Sequence, residues 1–319
     1  QYAPLAGMPE LRQAIVDKVA ALYGMRFDAE SEVTVTAGAT QAIFTAIAAF
    51  VRPGDEVVVF EPVYDSYVPA IETVGGTAVF AQLQFPDYVP DWAQVAALIT
   101  PKTRMIVINS PHNPTGSLLT AVDLEKLAEL VRGTDIIVLS DEVYEHILFD
   151  GERHASLCGH PELAPRSIVV SSFGKTYHIT GWKIGYVVGP AALMAEFRKV
   201  HQFNVFTVHT PSQLALAEYM QDASRHLGLA AFYQEKRDFF RELMAGTPFE
   251  LLPCRGTYFQ LAAYKAISDL PDRAFAEWMT REVGVAVIPV SVFNADGRDD
   301  HVVRFCFAKK EETLVAAGE

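Results

Sequence analysis

The chain has 319 residues, 50% of them hydrophobic and 20% charged, with a formal net charge of -13 and a pI near 5.2. That is enough chain for one large domain or two ordinary ones, and its scattered Lys and Arg under an acidic excess exclude holding a nucleic-acid backbone by bulk charge. No apolar run reaches the roughly 18 residues of a membrane span, and no signal-peptide pattern opens the chain.

Residues 8–23 repeat apolar side chains at helical spacing, with proline at the start and Gly24 at the end, a helix with its stop signal. A strand is expected at 32–36, a helix at 40–51 and an apolar strand at 56–60. A helix at 66–74, a strand at 77–82, a helix at 92–99 and a strand at 104–109 follow. The next helix covers 123–132, and further strands fall at 136–140, 167–171 and 184–188. Strands alternating with helices predict an α/β fold with a mostly parallel central sheet flanked by helices. The near-continuous apolar strands predict that both sheet faces are covered.

After about residue 191 the pattern changes. Residues 191–244 read as largely helical, with a break near 210–211. A smaller α+β pattern follows, with short strands at 251–252, 258–261, 285–288 and 302–307 and a helix around 274–282. The expected organisation is a large α/β domain over 25–245 and a small α+β domain made of 1–24 and 246–319.

In open α/β sheets ligands collect at the carboxyl ends of strands. Here those ends carry 36–40 (TAGAT), 61–64 (EPVY), 109–113 (NSPHN), 141–144 (DEVY) and 171–175 (SSFGK). Gly174-Lys175-Thr176 imitates the end of a nucleotide-binding P-loop. That motif needs glycine five residues before Gly174, and position 169 is valine inside a strand, so the nucleotide reading fails. Gly38 sits in a strand–turn–helix whose helix start suits phosphate, although a plain βα turn also favours glycine. Asp141 follows an apolar strand, where a carboxylate wants a cationic partner or caps a helix. Residues 109–116 form a turn-rich run. Arg304 lies in an apolar strand and wants a planar anion, either a substrate carboxylate or an internal acid. His154, Cys158 and His160 lie close in sequence but lack a fourth ligand, so they are read as a loop and no metal is expected. Three cysteines without a CxxC fit a reducing, cytoplasmic setting.

A lysine anchor, a phosphate turn, an acid, a tyrosine and a carboxylate fork together match pyridoxal phosphate chemistry. The chain resembles fold-type I, class I/II pyridoxal-phosphate aminotransferases, most of all the methionine and kynurenine aminotransferase branch. The motifs that carry the resemblance are 1–9 (QYAPLAGMP), 36–41, 60–67, 110–116, 140–146, 171–178 and 304–310. The resemblance implies that Lys175 binds pyridoxal 5′-phosphate covalently and moves the substrate's Cα proton. It implies that Ser172, Lys183, Gly38, Ala39 and Thr40 hold the phosphate, with lysine at 183 where the family usually has arginine. Tyr64 would stack on the ring, Asn113 and Tyr144 would bond its oxygen, and Asp141 would face its nitrogen. Arg304 would clamp the substrate α-carboxylate beside Asn113 and Tyr64. Tyr2 would reach the phosphate of a neighbouring subunit, which implies a homodimer with shared active sites.

The implied reaction moves an amino group from an L-amino acid to a 2-oxo acid. No second arginine for an acidic side chain can be identified. Tyr64, Tyr67, Tyr258 and Phe259 are the aromatic candidates for the pocket side, which favours an apolar, aromatic or sulfur-containing donor. The alternatives are a C–S β-lyase using the same cofactor and, more remotely, a ligand-sensing regulatory module. Family members also carry an N-terminal arm that this sequence lacks, and its C-terminal helix is expected to be cut short.

Overall fold

The computed structural model describes residues 2–318. Helix α1 (Pro9–Tyr23) starts with proline, whose missing N–H is unneeded in a first turn, and ends on Gly24 at a φ of 76°. The chain then alternates: β1 (Val33–Thr36), α2 (Gly38–Phe50), β2 (Glu56–Glu61), α3 (Tyr67–Thr73) and β3 (Thr77–Gln84). A short β4 (Val89–Pro90) precedes α4 (Trp92–Leu98), β5 (Thr103–Asn109), α5 (Ala121–Val131) and β6 (Ile137–Asp141). Helix α5 opens with a capping box in which Thr120 and Asp123 satisfy each other's backbone N–H groups. β7 (Ser167–Ser172), the single turn α6 (Phe173–Thr176) and β8 (Gly185–Val188) complete this part.

These strands form one sheet in the order β1-β8-β7-β6-β5-β2-β3-β4. β3, β2, β5, β6 and β7 run parallel, while β8 is antiparallel to both neighbours. Successive strand residues feed two separate cores. Val58, Ile106, Ile108, Val138 and Val169 pack on one side, and Val57, Val59, Met105, Val107 and Leu139 on the other. This double burial is why the strands read as unbroken apolar runs.

Helices α7 (Ala191–Asn204), α8 (Thr210–Tyr219), α9 (Ser224–Leu227) and α10 (Leu229–Met244) lead to a second sheet. It contains β9 (Glu250–Leu251) and β10 (Phe259–Ala263), then, after α11 (Asp272–Trp278), β11 (Ile288–Pro289) and β12 (Val302–Cys306). Its order is β11-β12-β10-β9, antiparallel throughout. The chain continues into α12 (Glu311–Gly318). Val303 and Phe305 of β12 pack with Phe240 of α10, Phe275 of α11 and Leu314 of α12. The alternate residue Val302 joins the core of the large sheet instead. Arg304 shares the face of Val302, because strand side chains alternate.

Three local expectations change. Residues 1–24 were expected with the small unit, yet α1 buries Leu11, Ile15, Val16 and Val19 in the core of the large sheet beside Val33 and Val35. The apolar stripe of a helix cannot by itself show which sheet covers it. The helix expected to 282 ends at Trp278 and continues as a π turn over Met279–Val283. The strand expected at 285–288 is confined to Ile288–Pro289. No helix among the described residues is long and apolar enough to cross a membrane.

Candidate active site

The parallel strands deliver their last residues to one edge of the sheet. Asn109 ends β5, Asp141 ends β6 and Ser172 ends β7, with Asn109 paired to Asp141 in register. A cavity of about 640 Å³ opens there, closed on the far side by Arg304 and Phe259 of the small sheet. Gly38, Ala39, Thr40, Tyr64, Asn113, Tyr144, Lys175 and Lys183 also line it. Every residue expected to bind cofactor or substrate α-carboxylate, except Tyr2, is therefore gathered into one cavity; of the pocket-side aromatics, Tyr64 and Phe259 line it and Tyr67 and Tyr258 do not.

One end is built for an anion. Helix α2 begins at Gly38, and the N–H groups of a first helical turn have no intrahelical acceptor. They carry the positive end of the helix dipole. The Ser172 hydroxyl lies at the same place, capping α6 by accepting from the Gly174 N–H at 3.2 Å. Lys183 is held in the left-handed region at φ 54°, a costly conformation for a non-glycine residue. It lies against the helix start: a Cβ on Gly38 would sit 3.5 Å from Lys183 Cε. Gly185 explains how the strand comes so close. A Cβ there would fall 2.8 Å from the Ser171 carbonyl oxygen and 3.0 Å from the Gly38 carbonyl carbon. Backbone donors, a hydroxyl and an ammonium group thus converge, a donor set that fits a phosphate.

At the other end Asp141 is buried, and burial pushes its carboxyl from the ordinary 3.8 up to about 6. The Tyr67 hydroxyl opposes this by donating to Asp141 Oδ2 at 2.6 Å, and the Val143 N–H donates to Oδ1 at 3.3 Å. Asp141 forms no ion pair among the described residues. Its neighbours Glu142 and Glu145 are held elsewhere. Glu142 accepts from Ser140 Oγ at 2.8 Å and pairs with His154 at 2.8 Å. Glu145 accepts from Lys18 Nζ at 2.6 Å and from Tyr23 OH at 2.5 Å. A buried carboxylate without a cation is costly, and a protonated ring nitrogen fits its need.

Tyr67 thus supports Asp141 from beneath; the expectation that it faces the substrate is corrected. It is only 3% exposed, because its position at the start of α3 turns it into the core. Tyr64 does line the cavity, 5.5 Å from the Tyr67 ring, and its hydroxyl is raised in pKa mainly by burial.

Lys175 sits on the single turn α6, where Gly174 lets the chain pack closely: a Cβ there would lie 3.0 Å from Thr180 Cα. Its Nζ donates to the Tyr258 hydroxyl at 2.8 Å and lies 5.6 Å from the Tyr144 ring centre. Tyr144 is buried and its hydroxyl is pushed well up, burial first and Tyr258 next. Arg304 donates through Nη1 to Asn113 Oδ1 at 2.6 Å. Its guanidinium lies 4.0 Å from the Phe259 ring centre and 5.3 Å from that of Phe293. It makes no ion pair among the described residues, so the internal-acid explanation of this strand arginine fails. Asn113 is itself positioned by Asn109, whose Oδ1 accepts from the Asn113 N–H at 2.8 Å.

Tyr2 lies apart, 81% exposed, with its ring edge-on to Phe206 at 5.3 Å. Among the described residues no group of three or more His, Cys, Asp or Glu is placed to hold a metal ion. Sequence reasoning did not select Gly185 or Asn109 as parts of the machinery, and it offered Tyr258 only as a pocket-side aromatic, not as the partner of Lys175. Tyr258 follows Gly256-Thr257 near the start of a strand, which signals a turn and says nothing of a partner 83 residues away.

Residues 1–317 match the family model for aminotransferases of class I and II. The whole chain is 51% identical to methionine aminotransferase of Escherichia coli (strain K12), covering 83% of that protein. It is 34% identical to kynurenine–oxoglutarate transaminase 1 of Rattus norvegicus, again covering 83%. The whole fold matches a crystal structure that identifies a methionine aminotransferase function in Escherichia coli, with a TM-score of 0.98 at 50% identity over 84% of that chain. It matches N-succinyldiaminopimelate aminotransferase from Mycobacterium tuberculosis with a TM-score of 0.94 at 37% identity, also over 84%. With a cavity that joins an anion cradle, a lysine, a buried acid and an unpaired arginine, and with a family model spanning nearly all its residues, this chain belongs to the class I and II aminotransferases.

Proposed function

We propose that the chain uses pyridoxal 5′-phosphate to move the amino group of an apolar, methionine-like L-amino acid to a 2-oxo acid. The observation that carries this is the set of uncompensated groups in one cavity: Asp141 without a cation, and Arg304 without an acid. Each charge matches one part of a cofactor–substrate pair. Gly38, Ala39, Thr40, Ser172 and Lys183 are suited to the phosphate, Tyr64 to the ring face, and Asn113 and Tyr144 to the ring oxygen. When bound, the cofactor supplies a conjugated ring that accepts the electron pair released at the substrate Cα.

The residues do the rest. Asp141 holds a proton at the ring nitrogen, since a carboxylate this buried gains most from a positive neighbour. Lys175 Nζ takes the proton from the substrate Cα, and its bond to Tyr258 keeps the amine directed into the cavity. Arg304 fixes the α-carboxylate by its planar fork, and the Phe259 and Phe293 rings limit the guanidinium's freedom. Fixing the carboxylate orients the Cα–H bond toward Lys175.

The donor class rests on charge. Lys183 and Arg304 have anionic partners in this scheme and Lys175 does the proton transfer, so among the described residues no lining cation is left for a second carboxylate. Asp65 on the rim repels one. The 51% identity to a methionine aminotransferase supports the same donor. A homodimer is supported by the apolar surface around Tyr2, where Phe206 and Leu214 are 45% and 42% exposed; such a patch favours a partner. Free Cys158, Cys254 and Cys306 fit a reducing, cytoplasmic compartment.

The test is an absorbance spectrum of the protein with added cofactor, before and after L-methionine, for wild type and Lys175→Ala. A visible band that requires Lys175 and bleaches with methionine is expected. A band that bleaches only with other amino acids changes the donor, and no Lys175-dependent band refutes the reading.

A further inference from the structure

Two side chains on one wall of the cavity, Ile288 and Val292, have no role in the scheme above. They stand on β11 and on the 3-10 turn Val290–Phe293 that follows it. Ile288 lies directly opposite Arg304 in the antiparallel β11–β12 pair. Opposed residues in such a pair stand on the same face, with Cβ atoms roughly 5 Å apart. Ile288 therefore stands beside the guanidinium.

The turn divides its side chains between two tasks. Val290 and Phe293 are buried at 4% and 8% exposure, whereas Ile288 and Val292 are left 40% and 44% exposed. Neither Ile288 nor Val292 belongs to any core cluster of the described residues. Both line the cavity. Two large apolar side chains that the core does not use, held open next to a carboxylate-binding arginine, form a surface for an apolar group joined to a carboxylate. Asp65, an acid that lines the same cavity, disfavours an acidic group at the same place.

We propose that Ile288 and Val292 receive the side chain of the amino donor and set the preference for extended apolar chains over short or acidic ones. This rests on the aminotransferase reading, with the α-carboxylate on Arg304. Branched aliphatic residues from a strand end and a turn give a flat, dry contact. Its gain grows with each methylene that the donor lays across it.

The test uses straight-chain alkanoates from acetate to hexanoate. They carry the carboxylate and chain but have no amino group to react. Binding to the cofactor-loaded protein is measured by calorimetry. In the wild type, affinity is expected to rise by up to about fourfold per methylene, which is about 0.8 kcal/mol for a buried CH₂. Ile288→Ser and Val292→Ser are expected to lower that rise below about twofold, and Arg304→Ala to abolish binding at every chain length. In steady-state assays the same serine variants should lose about tenfold in kcat/KM for L-methionine relative to L-alanine. A chain-length series unchanged by the serine variants, or equal losses for both amino acids, overturns the proposal. Failure of every amino acid to bleach the visible band would instead refute the aminotransferase reading, and the alkanoate series would still report on this wall.

Discussion

Asp141 sets up a trade between stability and chemistry that can be measured. In the cofactor-free protein, burial raises its carboxyl from 3.8 to about 6. At about 1.36 kcal/mol per pH unit, keeping it ionised in the fold costs about 3 kcal/mol of stability. The pH window follows from the direction of the shift. A raised carboxyl favours the folded state at low pH, below the unfolded value near 4. That advantage is lost as pH rises through about 6. Asp141→Asn keeps the shape and can still accept from Tyr67, but it carries no charge. The cofactor-free variant should therefore be more stable than wild type by about 3 kcal/mol at pH 8, by about half of that at pH 5, and by little at pH 3.5. For 319 residues, with an unfolding entropy of about 2.1 cal/mol/K per residue, the gap at pH 8 is worth about 4 °C in Tm. Urea and thermal unfolding of both proteins across this range give the comparison. The same variant should lose transamination by orders of magnitude. A variant no more stable than wild type at pH 8, or a gap that does not shrink toward pH 5, would refute the claim that Asp141 is a buried, uncompensated charge.

Three further outcomes are expected. Arg304→Lys keeps the charge but loses the fork; at about 1.5–3 kcal/mol for a hydrogen bond to a charged group, kcat/KM for L-methionine should fall roughly 10- to 150-fold. Gly185→Ala puts a methyl 2.8 Å from the Ser171 carbonyl oxygen, so equilibrium dialysis should show weaker cofactor binding while circular dichroism reports a folded chain. Lys18→Met leaves Glu145 buried without its cation and should cost about 3–5 kcal/mol. Lys18, against the opposing desolvation, holds Glu145 well below its ordinary 4.5, so the stability it supplies is present above that value and lost on acidification; denaturation profiles of the variant should lack that acid-dependent loss.

Much of this molecule was legible before any coordinates. Ile137–Asp141 and Thr103–Asn109 are strands because two cores claim alternate residues of an apolar run, and that demand is written locally. The same holds for the glycine at 38 and for the polar residues that end each parallel strand. Topology then brings those ends together, since parallel strands share a carboxyl edge. The stretches that hold Lys175, Asp141, Asn113 and Tyr144 could be located on that basis, and the family resemblance singled out the residues within them.

What tertiary structure alone decided is partnership. Arg304 meets Asn113 across 191 residues, and Asp141 meets Tyr67 across 74. No periodicity encodes which groups will meet at such separations, or which will meet nothing. The sequence left Arg304 between a substrate and an internal acid; only packing showed it without the acid. It offered α1 as an amphipathic helix, and only packing put that helix on the large sheet. It showed Ile288 and Val292 as two more apolar residues near a short strand. Burial comes from what surrounds a side chain, and the surroundings of a residue are fixed by the whole fold.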